Sequence, residues 1–153
     1  MSANSPDDLA LVTGLYRATN AAVRELDQRL SREHDITFIQ AVTLLAINSF
    51  DRPQPHLVAD YLSQQSQTVT GVLDRLERAG HVSRQRDLGD RRAVRLELTE
   101  SGKRVVDAIA SSLTEHVVDV LSGIEKDHRS RLQKDLASLE DAIRSTPPRS
   151  AAS

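Results

Sequence analysis

Arginine side chains concentrate in one short segment of this 153-residue chain. The cluster comprises Arg84, Arg86, Arg91, Arg92 and Arg95. Within the segment only Asp87 and Asp90 carry the opposite charge. A guanidinium group binds phosphate or carboxylate oxygens through parallel N–H donors, and side chains at the tip of a turn are not buried. The cluster therefore suits a polyanionic partner, although an ordinary solvated turn would also accommodate it.

Short hydroxyl and amide side chains follow one another just before the arginines. If the polyanionic partner is DNA, Gln67 is the best candidate for contact with a base, because its amide can form two hydrogen bonds with adenine. Ser66 is equally well interpreted as a helix N-cap or as a contact to DNA. Thr68 and Thr70 either reach DNA or pack against their own turn. Gly71 either permits close approach to DNA or is a tolerated weak position, since glycine inside a helix costs about 1 kcal/mol relative to alanine.

The formal charge of the whole chain, −2, conceals an uneven distribution. Residues 1–65 carry −3 and residues 105–153 carry −2, whereas residues 66–104 carry +3. The positive segment contains both the polar run and the arginine cluster. A near-neutral total therefore does not argue against nucleic acid as the partner.

Two short helices must position the polar run. They are predicted at about His56–Leu62 and Ser66–Ala79, joined by a polar turn, and the second ends at Gly80, a residue type that favours a helix C-cap. Such a pair is a helix-turn-helix. Stepping 100° per residue along the second helix separates a core face from an outward face. The core face comprises Val69, Val72, Leu73 and Leu76, and the outward face Gln67, Gly71, Asp74 and Arg78.

A β-hairpin must position the arginines, with strands predicted at Val82–Arg86 and Ala93–Leu98 and a polar tip between them. At the tip, Asp90 and Arg92 are two residues apart on an extended segment, so we expect their side chains to pair. A guanidinium oriented in this way fits a narrow A·T-rich minor groove, whereas Arg91 points toward phosphate. Taken alone, the pair is an ordinary surface ion pair worth about 0 to 1 kcal/mol.

The N-terminal part of the chain predicts two helices. The first, about Asp7–Arg32, has a heptad seam too narrow to bury much within one chain, so it requires a partner surface. The seam comprises Leu9, Val12, Tyr16, Thr19, Val23, Leu26 and Leu30. Thr37 and Gln40 form a capping box that starts a buried central helix ending near Ser49.

The C-terminal part predicts two further helices and a tail. Thr99 opens a long helix, and Ser122 with Glu125 forms a second capping box for the last helix. That helix has one apolar stripe, formed by Leu132, Leu136, Leu139 and Ile143. Residues 146–153 are small and proline-containing, so we expect this tail to be disordered.

Several function classes are excluded by composition. The chain has no cysteine, which removes disulfides, thiolate metal sites and thiol redox sensing. Its apolar runs are far shorter than the roughly 18 residues of a membrane span, and the acidic start does not resemble an export signal, so we expect a cytoplasmic protein. No nucleophile, phosphate-loop or zinc-hydrolase motif suggests an enzyme or a cofactor. His116 and His128 are better interpreted as solvated side chains than as metal ligands.

Four motifs together closely resemble the MarR family of bacterial winged helix-turn-helix regulators. They are LVADYL at 57–62, TVTGVLDRLERAG at 68–80, Asp87-x-x-Asp90-x-Arg92 in the wing, and LTESGK at 98–103. The resemblance covers roughly residues 37–103. Gln64, Gln65 and Gly71 depart from the residues that are frequent in the family, which affects the operator sequence and not the fold.

The resemblance implies a mainly α fold with a small β-hairpin: a winged helix-turn-helix between N- and C-terminal dimerisation helices. Residues 1–36 would form the N-terminal dimerisation helix, 37–99 the DNA-binding lobe and 100–145 the C-terminal dimerisation helices. A homodimeric repressor would place two recognition helices in successive major grooves of a pseudopalindromic double-stranded DNA operator. The expected DNA contacts are Ser66, Gln67, Thr68, Thr70, Gly71, Arg75, Arg84, Arg86, Asp90, Arg91 and Arg92.

The resemblance also implies a small phenolic or carboxylated effector that releases DNA by preferring the non-binding conformation. Its candidate contacts are Tyr16, Arg17, His34, Phe38 and Gln40. For each of these residues core packing or solvation is the competing interpretation. The rival function is a winged helix used for protein docking, which needs neither the positive segment nor an oriented wing arginine.

Overall fold

The computed structural model describes residues 6–90 and 92–147, which form six helices and one antiparallel β-hairpin. The predicted mainly α fold with a small hairpin is confirmed. The helices are α1 (Pro6–His34), α2 (Phe38–Ser49), α3 (Pro55–Tyr61), α4 (Ser66–Arg78), α5 (Glu100–Leu121) and α6 (Lys126–Ser145). The strands are β1 (Val82–Arg86) and β2 (Val94–Leu98). Within the described residues, no helix combines the length and apolar character that crossing a bilayer requires.

The start of α2 confirms the first predicted capping box. The Thr37 hydroxyl accepts a hydrogen bond from the Gln40 backbone N–H at 3.3 Å, and the Gln40 side chain accepts one from the Thr37 N–H at 2.9 Å. Asp27 of α1 adds a third bond, because its carboxylate accepts from the Phe38 N–H at 2.8 Å. Three N–H groups at the start of α2 thereby gain partners, and one of the three bonds connects α2 to α1.

The second predicted capping box, Ser122 with Glu125, is wrong. Helix α6 begins at Lys126 after Glu125 as N-cap, and the Glu125 side chain makes no capping bond. The Ser122 hydroxyl instead donates to the Asp119 carbonyl oxygen at 2.7 Å. The hydroxyl thus satisfies a free carbonyl at the end of α5, an alternative that the same local sequence pattern permits.

Contacts divide the chain into two compact units, one ending at Leu113 and the other beginning at Thr114. The first unit holds one apolar core, to which α1, α2, α3, α4, α5 and both strands contribute. Its largest fully buried side chains are Leu30, Leu44, Leu73, Leu76, Leu96, Ile109, Val58, Val69 and Thr43. The central position predicted for α2 is confirmed by the burial of five of its twelve residues.

A polar contact joins α5 to α1 at the edge of this core. The buried Ser112 hydroxyl donates to the Glu33 carboxylate at 2.6 Å. This hydrogen bond is the main reason that the pKa of Glu33 lies below its usual value; partial burial opposes it, and the charges of Arg29 and His34 add to it. The Ser112 hydrogen bond thus stabilises the ionised form of Glu33.

The apolar seams of α1 and α6 are uncovered in the single chain. On α1, Leu9 is 71% exposed and Tyr16 is 70% exposed. On α6 the exposed fractions are 48% for Leu132 and 62% for Ile143, and no described residue of this helix is buried. These stripes are the surfaces for which the sequence predicted a partner.

Gly102 is required by the approach of α5 to the turn that follows α4. A Cβ at this position would overlap the backbone carbonyl group of His81, and Gly102 is buried. The turn is held there because the Thr99 N–H donates to the His81 oxygen at 3.1 Å and its hydroxyl to the Gly80 oxygen at 2.6 Å. Backbone atoms fixed in this way cannot move aside cheaply.

We expect Gly102→Ala to lower the free energy of unfolding by about 1 to 3 kcal/mol, the usual cost of overpacking a fixed site. Urea denaturation followed by circular dichroism measures this change. Gly123→Ala is the matched control, because a Cβ at Gly123 would meet nothing within 4 Å. Equal stability of the two variants would contradict the steric argument.

Candidate nucleic-acid interface

Helix α4 has the two faces predicted from its periodicity. Its core face is confirmed, because Val69, Val72, Leu73 and Leu76 are each at most 3% exposed. The opposite face presents exposed Gln67, Asp74 and Arg78, with Gly71 partly exposed between them. Core packing therefore fixes the direction of each polar side chain on this helix.

The residue at the N-cap of α4 is not Ser66, as one of the two interpretations of Ser66 required. Gln65 is the N-cap, in extended conformation, and makes no side-chain capping bond, so Ser66 is the first helical residue. The N-cap interpretation of Ser66 is wrong, because the chain enters helical geometry one residue earlier than that interpretation requires. Ser66, Gln67 and Thr68 are all exposed.

Thr70 and Gly71 continue the exposed polar surface of α4. The Thr70 hydroxyl donates to the Ser66 carbonyl oxygen at 2.8 Å, so Thr70 does bond its own turn while its side chain stays exposed. A Cβ at Gly71 would meet no atom of the chain within 4 Å. No contact within the described residues requires glycine at this position.

The end of α4 is a Schellman motif that turns the chain into the hairpin. The His81 N–H donates to the Leu76 oxygen at 2.9 Å and the Gly80 N–H to the Glu77 oxygen at 3.0 Å. Gly80 has a φ of 78°, in the left-handed region that glycine adopts without strain. The predicted glycine stop is confirmed, and only a short turn separates α4 from β1.

We call the hairpin formed by β1 and β2 the wing and α4 the recognition helix, and two aspartates shape the tip of the wing. Strands β1 and β2 pair antiparallel from Val82 opposite Leu98 to Arg86 opposite Val94. The Asp87 carboxylate accepts from the Gly89 N–H at 2.8 Å, and the Asp90 carboxylate accepts from the Arg92 N–H at 2.9 Å. Both are Asx turns, in which a short carboxylate bonds the backbone two residues on.

These bonds correct the expected side-chain pair between Asp90 and Arg92. The Asp90 carboxylate holds the backbone of Arg92 and not its guanidinium, because the amide two residues on is the nearer donor. Asp90 thus orients the residue, and the Arg92 side chain is exposed. Arg91, also predicted to contact DNA, lies outside the described residues.

Arg84 is bound by α4. Its Nη2 contacts Asp74 Oδ1 at 2.7 Å and its Nη1 contacts Glu77 Oε2 at 2.6 Å. Partial burial lowers the pKa of Arg84, but the hydrogen bonds to Asp74 and Glu77 outweigh it and hold the pKa above its usual value. The prediction that only Asp87 and Asp90 oppose this arginine is wrong, because a neighbouring element supplies two carboxylates.

The remaining basic residues stay near the surface. Arg75 and Arg86, both predicted to contact DNA, are exposed, and Arg95 Nε lies 3.8 Å from Glu97 Oε1 on the same strand. Arg52 was not predicted as a site residue, yet it lines a cavity of about 360 Å³ with Gln85, Arg86 and Arg95. The Pro53 carbonyl brings it there by accepting from the Leu96 N–H at 2.8 Å.

The five candidate effector contacts do not form one site within a single chain. Tyr16 and Arg17 line a cavity of about 640 Å³ along the first half of α1. His34 lies about 27 Å farther along the same helix, at a rise of 1.5 Å per residue. Phe38 is half-buried beside the start of α2, and the Gln40 side chain is used in the capping box. Among the described residues, no three histidine or carboxylate side chains converge as a metal site.

Comparison with known proteins agrees with this geometry. The sequence profile of the MarR family matches residues 34–93. The chain is 31% identical over 136 residues to the HTH-type transcriptional regulator TtmR of Methylorubrum extorquens (strain PA1), covering 89% of this chain and 68% of TtmR.

Two solved structures share the fold. A MarR/EmrR family transcriptional regulator from Acinetobacter sp. ADP1 superposes with a TM-score of 0.85 at 15% identity, covering 91% of this chain and 98% of that one. The S. aureus MepR–DNA complex superposes with a TM-score of 0.78 at 25% identity, covering 86% and 97%. The chain therefore belongs to the MarR family of winged helix-turn-helix proteins, which are DNA-binding transcriptional regulators and not enzymes.

Proposed function

We propose that this regulator is a repressor that binds a pseudopalindromic operator as a homodimer. Helix α4 enters the major groove and the wing reaches the adjacent minor groove. The observation that carries the proposal is the presence of two exposed elements that follow each other in the chain. They are the polar face of α4, with Gln67 near its start, and a wing whose Asp90 holds the backbone of Arg92 at the tip. MepR, which has the same fold, was solved in complex with DNA, and this supports DNA as the partner.

The homodimer is supported by the apolar stripes that the single chain leaves uncovered. Stripes on both the first and the last helix need a covering surface, and a second copy supplies the same stripes through a two-fold axis. A dimer of this kind presents two copies of α4, which would read half-sites about 10 bp apart.

Charge distribution supports DNA over a protein as the partner. The +3 of residues 66–104 stands between two acidic segments, and dimerisation doubles this separation. Two cationic heads on an acidic body favour approach to DNA in one orientation, and they make affinity strongly dependent on salt.

We further propose that a phenolic or carboxylated small molecule controls the complex. The residues of α1 that line its cavity include Tyr16, Arg17 and Arg24, and arginine forms bidentate bonds with a carboxylate. Such a molecule releases DNA only if it binds more tightly to the dimer conformation that does not fit the operator.

The dimer makes a testable prediction on α6. We expect Leu136→Arg to raise the dimer dissociation constant by about tenfold or more, because it buries an unpaired charge in an apolar interface. Sedimentation velocity over a concentration series measures this constant. Ser130→Arg, on the opposite side of α6, is the control; a monomeric wild type or equal effects of both variants would contradict the dimer.

The wing makes a second prediction. We expect Arg92→Ala to weaken operator binding about tenfold or more while the dimer stays folded, since it removes the minor-groove cation. A gel-shift series at several salt concentrations, with an operator selected by the wild type from a random duplex library, measures the effect. Unchanged affinity at every salt concentration would exclude the minor-groove role.

The start of α4 makes a third prediction. We expect Gln67→Ala to relax the preference at one base pair per half-site by about 1 to 3 kcal/mol, the value of a bidentate base contact. Sequencing of selected duplexes compares the two preferences. An unchanged profile would remove Gln67 from base reading, and failure of the wild type to select any sequence would favour the protein-docking alternative.

A further inference from the structure

Arg84 joins the wing to the recognition helix through one guanidinium group. It stands in the middle of β1, opposite the buried Leu96 of β2. From there its two terminal nitrogens reach Asp74 and Glu77, which are one turn apart on α4. We call these three residues the clamp. Two short charge-assisted bonds from one planar group fix both distance and angle between the elements they connect.

The two carboxylates of the clamp lie on an unfavourable surface for an anionic partner. Asp74 is 50% exposed and Glu77 is 42% exposed, whereas the Arg84 side chain is only 26% exposed. Asp74 belongs to the outward face of α4, beside Gly71 and Arg78. Unpaired carboxylates there would repel DNA phosphates, because like charges close together in a partly desolvated interface are costly.

The backbone connection between the two elements is short and hydrogen-bonded. Only Ala79, Gly80 and His81 separate α4 from β1, and the Schellman bonds hold this turn at one edge of the contact. The clamp adds a second connection, made by side chains. The clamp spans this turn from outside, so it opposes rotation of β1 relative to α4.

We propose that Arg84 is a positioning residue for DNA reading, which fixes the wing against the recognition helix through Asp74 and Glu77. The inference rests on the proposed function, because it concerns how one chain presents α4 and the wing to the same duplex. Arg84 acts through the two carboxylates and not as a phosphate contact. This assignment differs from the role expected from the arginine cluster alone.

A double-mutant cycle tests the clamp. Operator affinity is measured for Arg84→Ala in the wild-type background and in the Asp74→Asn, Glu77→Gln background, at a temperature where all variants are folded by circular dichroism. The duplex is an operator selected by the wild-type protein. If Arg84 acts through the carboxylates, its loss costs about tenfold in the first background and less than about twofold in the second.

Arg86→Ala is the matched comparison, because Arg86 lies on the same strand and is exposed. Loss of a residue that contacts phosphate should lower operator affinity by the same factor in both backgrounds. It should also reduce the slope of log affinity against log salt concentration by about 1. We expect this behaviour for Arg86. For Arg84→Ala we expect an unchanged slope in the neutralised background, where no unpaired carboxylate repels DNA. An equal loss of affinity from Arg84→Ala in both backgrounds, or a reduced slope in the neutralised background, would overturn the clamp as a positioning device.

A DNA-free measurement separates this inference from the proposed function. The same cycle is applied to the urea unfolding of the free protein, where the clamp predicts that Arg84→Ala destabilises the wild-type background more than the neutralised one. If the wild type selects no operator, the proposed function fails, and with it the reading role of Arg84. If Arg84→Ala still destabilises the wild-type background more than the neutralised one, the clamp contributes to the stability of the fold alone. If the effects on the free energy of unfolding are additive, the clamp does not hold the two elements together.

Discussion

Burial of one face of α4 is the constraint on which the rest of the structure depends. Val72 and Leu73, next to each other on this helix, are 3% and 0% exposed. Rotating α4 by one residue would bring apolar side chains into water, at about 1.5 to 3 kcal/mol for each one exposed. The helix therefore has one stable orientation. Core packing thereby fixes the direction of every polar residue on the outward face, including Gln67.

Polar contacts with the same helix position the wing. The Schellman turn at Gly80 reverses the chain, the clamp joins Arg84 to α4, and Thr99 bonds the turn to the start of α5. Close packing at Gly102 allows no side chain between these parts. Because each contact involves backbone or bidentate groups, the lobe resists small changes in geometry that flexible surface pairs would permit.

Positive charge and uncovered apolar surface lie in different parts of the chain. The positive segment carries the reading elements, while the uncovered stripes of α1 and α6 lie in acidic segments. Apolar stripes outside the positive segment are suited to contact with a second copy of the chain, whereas DNA is attracted to the positive segment. In the proposed homodimer this arrangement would couple dimer formation to the spacing of the two copies of α4, which is the distance that an effector would have to change.

The elements that depend on short-range interactions could be predicted from the order of the amino acids alone. The Thr37 and Gln40 capping box, the Gly80 stop, the core face of α4 and the hairpin depend on residues a few positions apart, and family motifs lie in the same stretch. Local patterns failed where a group had two partners within reach, as Ser122 and Asp90 did. The partners of Arg84 could be identified in the tertiary structure alone, because Asp74 and Glu77 lie on another element. Charge pairing between elements follows from how they pack, and local periodicity does not predict that packing.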